Sequence, residues 1–169
     1  NPFPEVSLGE DISVCQGETR ILDAGEGFKA YLWSNGETSQ SIEVSETGTY
    51  WVEVTNDFNC VKRDTLEFTV NLPPAVNLGQ DHAFCEGTPE MLSAGAGYAS
   101  YLWSTGETSY YINVTQPGEY WVVVADEIGC SGQDTIVMTM NPQPTVNLGD
   151  DQTFCEGTTV ALSAGTGFS

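Results

Sequence analysis

Basic residues are almost missing: four Lys and Arg stand against 24 Asp and Glu, for a formal net charge of −20. Affinity for nucleic acid comes largely from Lys and Arg facing phosphates, so that class of partner is excluded. An anionic membrane surface is excluded for the same reason. No apolar run approaches the length of a bilayer-spanning helix, so membrane insertion is not expected. His82 is the single histidine. Without a partnered Ser or Cys it cannot support nucleophilic catalysis. No carboxylate pair is placed to flank a glycosidic bond across a cleft. The chain therefore reads as a non-enzyme. No Cys-x-x-Cys occurs and no His set accompanies the cysteines, which argues against zinc. Helix signals are lacking too. With 40% hydrophobic and 17% charged residues, the chain can still build packed cores.

What is present repeats. Val6-Ser-Leu-Gly recurs as Val76-Asn-Leu-Gly and Val146-Asn-Leu-Gly. Tyr31-Leu-Trp-Ser recurs as Tyr101-Leu-Trp-Ser, and Tyr50-Trp-Val as Tyr120-Trp-Val. The offset is 70 residues throughout, with no insertion, and duplication accounts for it. The expected organisation is residues 1–5 as the end of a preceding repeat, 6–75 as repeat 1, 76–145 as repeat 2, and 146–169 as the start of a third. On this reading the chain is a window onto a longer array.

The five cysteines follow the period. Each full repeat has two, Cys15 with Cys60 and Cys85 with Cys130, leaving Cys155 over. Paired cysteines in a small β domain read as a disulfide framework and an oxidising compartment. We expect Cys15–Cys60 and Cys85–Cys130 inside the repeats, with the partner of Cys155 outside the chain. A loop of that length stabilises a unit by about 4 kcal/mol on loop-entropy grounds.

Gly, Thr, Ser, Val and aromatics dominate, with turn residues roughly every 8 to 12 positions, the pattern of an all-β sandwich. In repeat 1 the expected strands are Val6–Leu8, Thr19–Ala24, Lys29–Ser34, Ser41–Val44, Thr49–Thr55 and Asp64–Val70. Asn35-Gly36 predicts a hairpin turn, and Thr105-Gly106 keeps its Gly in repeat 2. Alternation puts Tyr50, Val52 and Val54 on one face, and Trp51 and Glu53 on the other. Trp33 is the expected core aromatic. The Pro-bearing junctions Asn71-Leu-Pro-Pro and Asn141-Pro-Gln-Pro are short, so successive sandwiches should lie end to end.

Tyr31-Leu-Trp-Ser-Asn-Gly-Glu-Thr, then Gly48-Thr-Tyr-Trp-Val-Glu-Val, then Asn59-Cys60, resembles the PKD-like, immunoglobulin-like tandem repeats of Bacteroidetes secreted surface proteins. The repeats of SprB-type gliding adhesins are similar. The resemblance implies an immunoglobulin-like fold, a very large protein exported by the type IX route, and display at the cell surface or release as an adhesin or filament. It also implies O-glycosylation at Asp-Thr-aliphatic tripeptides, which Asp64-Thr65-Leu66 and Asp134-Thr135-Ile136 match. The same trio could simply start the last strand.

Other candidate sites are weaker. Acidic residues cluster in loops: Asp11, Asp81 and Asp151 near the start of each repeat, and Asp57 and Asp126 before the second cysteine. A solvated acidic surface is the preferred reading and calcium at the junctions the alternative; no cofactor is otherwise implied. Trp51 and Trp121 face outward, and Tyr110 and Tyr111 are specific to repeat 2, so these four are candidate contacts for a glycan or protein partner. Asn113-Val-Thr is a formal N-glycosylation sequon. The functional expectation is a structural stalk or filament module of an extracellular adhesin that projects a binding tip. Its partners would be neighbouring repeats, other filament subunits or surface glycans. The alternative is a glycan-binding accessory module of a secreted enzyme.

Overall fold

A computed structural model describes residues 3–164. Residues 1–2 and 165–169 of the expected flanking segments lie outside the described residues. Twelve strands run in chain order: β1 (Ile12–Cys15), β2 (Arg20–Asp23), β3 (Ala30–Trp33), β4 (Ser41–Val44), β5 (Gly48–Thr55), β6 (Val61–Asn71), β7 (His82–Cys85), β8 (Glu90–Ser93), β9 (Ser100–Trp103), β10 (Tyr111–Val114), β11 (Gly118–Ala125) and β12 (Ser131–Asn141). No helix occurs among the described residues.

Six strands make each sandwich. In the first, a sheet ordered β1-β6-β5-β3 faces the pair β2-β4; in the second, β7-β12-β11-β9 faces β10-β8. The first strand of each unit runs parallel to the last, with Cys15 opposite Asn71 and Cys85 opposite Asn141. The other pairings are antiparallel. Alternation along the strands decides what is buried. Val52, Val54 and Leu66 are fully shielded and Trp33 is 1% exposed; Val122, Val124, Ile136 and Trp103 repeat this in the second core.

Two local bonds mark the fold. The Trp33 indole donates to the Ser39 carbonyl and the Trp103 indole to that of Ser109, each at 2.8 Å. Tyr50, early in β5, donates its hydroxyl to the Glu46 carbonyl at 3.0 Å; Tyr120 does the same to Gln116 at 2.8 Å. A buried Trp on the third strand, and a Tyr tying its strand back to the preceding corner, belong to the immunoglobulin sandwich. Where antibody domains place the second inter-sheet cysteine, two residues after that Tyr, this chain has the buried Val52 and Val122. The fold is therefore all-β, as tandem immunoglobulin-like sandwiches.

The strand expectations need two corrections. Val6–Leu8 forms no ladder. Its Leu8 N–H donates instead to Asp64 Oδ2 at 2.7 Å, while Val6 and Leu8 pack on the core. The first strand is Ile12–Cys15. The Asn35-Gly36 turn does adopt its left-handed Gly, φ 88°, but β3 and β4 on either side belong to different sheets. The Trp33 N–H donates to the Glu37 carbonyl, so the chain folds over the indole and then crosses the sandwich.

Residues 142–164 form no strand. Val146, Leu148 and Phe154 within them stand 70 residues after Val76, Leu78 and Phe84 and are exposed. Among the described residues, no counterpart of β5 and β6 covers them.

Candidate functional site

The site that the fold assembles lies between the two sandwiches. β1 and β6 of the first unit finish side by side at Cys15 and Asn71, and the Gln16 N–H donates to the Asn71 carbonyl at 2.9 Å. Four residues, Leu72-Pro-Pro-Ala75, then lead toward the second unit. There a tight loop holds Cys130 just ahead of β12. Asp126 Oδ1 accepts from the N–H groups of Ile128, Gly129 and Cys130 at 3.0, 2.9 and 2.8 Å. Gly129 takes the left-handed backbone this loop requires, φ 97°. Cys130 thereby meets Cys15: the two form a disulfide with their Cα atoms 5.4 Å apart and a sequence separation of 115.

This overturns the expected pairing. Cys60 and Cys85 are free, and so is Cys155. Neither Cys15–Cys60 nor Cys85–Cys130 exists, and β6 explains why. Cys15 sits beside Asn71 at one end of that eleven-residue strand, and Cys60 immediately precedes Val61 at the other. Such a strand is about 35 Å long, whereas a disulfide needs Cα atoms within roughly 7 Å. The strand that organises each unit holds the unit's two cysteines apart.

The linker is fitted to the second sandwich. A Cβ built on Gly132 would lie 1.9 Å from the Pro74 carbonyl oxygen, so β12 accepts the linker only because this residue is Gly. The Tyr98 hydroxyl donates to the Ala75 carbonyl at 2.5 Å. Cys15, Gln16, Glu18 and Pro73 from one side, with Gly129, Cys130 and Ser131 from the other, line a shallow cleft at the joint. Two covalent connections, main chain and disulfide, cross the junction.

The remaining candidates are scattered. Asp11 Oδ1 accepts from Glu67 N–H at 3.0 Å, and Asp81 Oδ1 from Val137 N–H at 2.8 Å. Asp57 is exposed, Asp151 lies in the strandless segment, and Asp126 is engaged as described. No three His, Cys, Asp or Glu side chains converge to hold a metal among the described residues. His82 lies 3.5 Å from Glu90 on the surface. Trp51 is capped by Arg63, whose guanidinium carbon sits 3.9 Å from the ring centroid and which also pairs with Glu53 at 3.1 Å. In the second unit Gln133 replaces Arg63, and Trp121 is left 37% exposed beside Val123, Gln133 and Thr135. Tyr110 and Tyr111 stack edge to face at 4.9 Å, on and beside β10 in the opposite sheet. Trp121 and the Tyr pair thus do not form one platform. Thr65 and Thr135 are exposed, directly across the strand pair from Trp51 and Trp121. Their neighbours Asp64 and Asp134 accept from Leu8 and Leu78 N–H groups, both at 2.7 Å, a role the sequence reading missed.

No family model matches the chain and no curated protein is similar to it. Solved structures with a similar outline include a two-domain fragment of DIP-gamma, IG1+IG2. It is 14% identical, with 82% of this chain and 98% of that one covered, at a TM-score of 0.41. The I67–I69 fragment of titin is 12% identical, covering 82% and 65%, at 0.45. The insect immune protein hemolin is 13% identical, covering 80% and 46%, at 0.42. At these scores they carry no argument. The immunoglobulin-like assignment rests on the strand order, the buried Trp and the Tyr corner.

Proposed function

We propose that the chain is a spacer: a segment of stalk or filament in a large extracellular surface protein, which sets a binding tip away from the cell. One observation carries this reading. The chain's disulfide joins two sandwiches to each other and not the two sheets of one sandwich. A staple placed there controls how units are disposed, which matters to a rod and not to a single binding module. It also suits an oxidising, extracellular setting. The adhesin affiliation and type IX export follow from the sequence resemblance, as does glycosylation at Thr65 and Thr135. The protein partners would be further repeats and filament subunits.

Small-angle scattering on the oxidised chain tests this. Each unit should advance the rod by roughly 35–45 Å, the length of its longest strand plus loops. The radius of gyration should then exceed about 20 Å, against about 15 Å for a compact body of this length. The compact value would remove the spacer reading.

The glycan-module alternative has one observation in its favour, the uncapped Trp121. It predicts retention on a polysaccharide column that Trp121→Ala abolishes.

A further inference from the structure

We infer that Cys85 and Cys60 are the two halves of the same staple, each built to bond a cysteine of the other class in a flanking repeat. In an array of this period the disulfides would then form a continuous ladder, one across every junction. The inference goes beyond the spacer reading, because a rod needs no covalent ladder.

The half-sites are already formed. At the first junction, the Gln16 N–H donates to Asn71 O at 2.9 Å and the Glu18 N–H to Cys15 O at 3.1 Å. Around Cys85, Glu86 N–H donates to Asn141 O at 2.9 Å and Thr88 N–H to Cys85 O at 3.1 Å. Parallel pairing sets Cys85 opposite Asn141 as it sets Cys15 opposite Asn71. The other class agrees in the loop that holds the cysteine, although Lys62 stands where Gly132 receives the linker. The Asn56 N–H donates to Cys60 O at 3.0 Å and Asp126 N–H to Cys130 O at 3.0 Å. Cys60 N–H donates to Asn56 Oδ1 at 2.9 Å, where Cys130 uses Asp126 at 2.8 Å. Asn59 takes the left-handed backbone, φ 59°, that Gly129 takes in the second unit. The linker after β12, Pro142-Gln-Pro-Thr145, has the length of Leu72-Pro-Pro-Ala75. Both unpaired thiols are reachable, Cys85 exposed and Cys60 half-buried.

Closing each rung oxidises two thiols and requires a disulfide donor, such as oxidised glutathione. The Cys85 thiolate attacks one sulfur of the donor and releases one glutathione thiolate. The incoming cysteine's thiolate then attacks the Cys85 sulfur and releases the second. One donor disulfide is reduced for each rung formed.

The test inserts a second copy of residues 76–145 between Thr145 and Val146 of the full chain. The copy carries Cys85→Ser, and Ile128→Val as a mass label on an exposed residue. After refolding in a glutathione redox buffer, free thiols are alkylated and cross-linked peptides mapped without reduction. The expected result is two bonds: Cys15 to Cys130, and Cys85 to the labelled cysteine of the copy, with Cys60 and Cys155 alkylated. The first bond reports that the junction seen here is intact. Cys85 alkylated while that bond forms would overturn the ladder. So would Cys85 joined to Cys130 of its own unit, or to Cys60 of another molecule. If neither bond forms, the staple itself fails and the ladder with it. Scattering on the oxidised chain of natural length, as described above, reports on the rod separately from where the bonds of the longer protein fall.

Discussion

Trp33 and Trp51 lie on neighbouring strands of one sheet, β3 and β5, yet they have opposite worth. Trp33 is enclosed, with its indole N–H satisfied, so Trp33→Ala should cost about 3–5 kcal/mol in chemical denaturation. Trp51 lies on the outer face under Arg63, and Trp51→Ala should cost no more than about 1 kcal/mol. Alternation in the sequence is enough to tell these two apart. It says nothing of Asp64, whose carboxylate holds a backbone N–H 56 residues away. The signal was its return at Asp134 ahead of a buried aliphatic residue. Asp134→Ala should therefore cost about 1–3 kcal/mol, while Thr135→Val leaves stability within about 0.5 kcal/mol. Asp23 has no acidic counterpart in the second unit, where Ser93 stands. The Gln40 amide and then the Gly25 N–H favour its charged form and hold its carboxyl below the ordinary value. Its contribution is thus complete above the ordinary carboxylate pKa and is lost as pH falls through the lowered one. An NMR titration should show the lowered midpoint, and Gln40→Leu should raise it.

At the level of strands, β5 and β6 were legible because their buried residues alternate without interruption over long spans. β1 and β7 were not. Four residues beside a polar turn carry too short a pattern, and their parallel pairing depends on a strand more than 50 residues on. The Asn-Gly signal was sound locally and misleading globally: it specifies a backbone turn and not which sheet the chain joins next. Gly36→Val should accordingly destabilise the first unit by about 1–3 kcal/mol, since φ 88° is strained for a β-branched side chain. Thermal unfolding of the variant measures this. The cysteine error has the same origin. Spacing admits several connectivities, and only the length and register of β6 rule out the one inside each unit.

For the whole molecule, the period of 70 residues was plain from the sequence and the joint was not. Gly132 carries the joint's geometry, since any side chain there meets the Pro74 carbonyl. Lys62 occupies the corresponding place in the first unit, so comparison of the repeats hid its importance. Gly132→Val should leave both cores folded but displace the linker. Formation of the Cys15–Cys130 bond should then slow in a glutathione buffer, as followed by alkylation at timed intervals.

The position of that bond decides how the chain would respond to being pulled. Tension applied at the termini enters at Cys15, crosses to Cys130 and never reaches the span between them. β2 to β11 are then outside the loaded covalent path altogether. Reduction would add roughly 400 Å of extensible chain, and single-molecule stretching with and without a reductant should show that difference. In a ladder the limit becomes tighter. The loaded stretch from Cys60 to Cys85 reaches about 85 Å when fully drawn out, and it would serve two units, which already span roughly 70–90 Å when folded. Such a tether could lose the packing of its sandwiches and hardly lengthen.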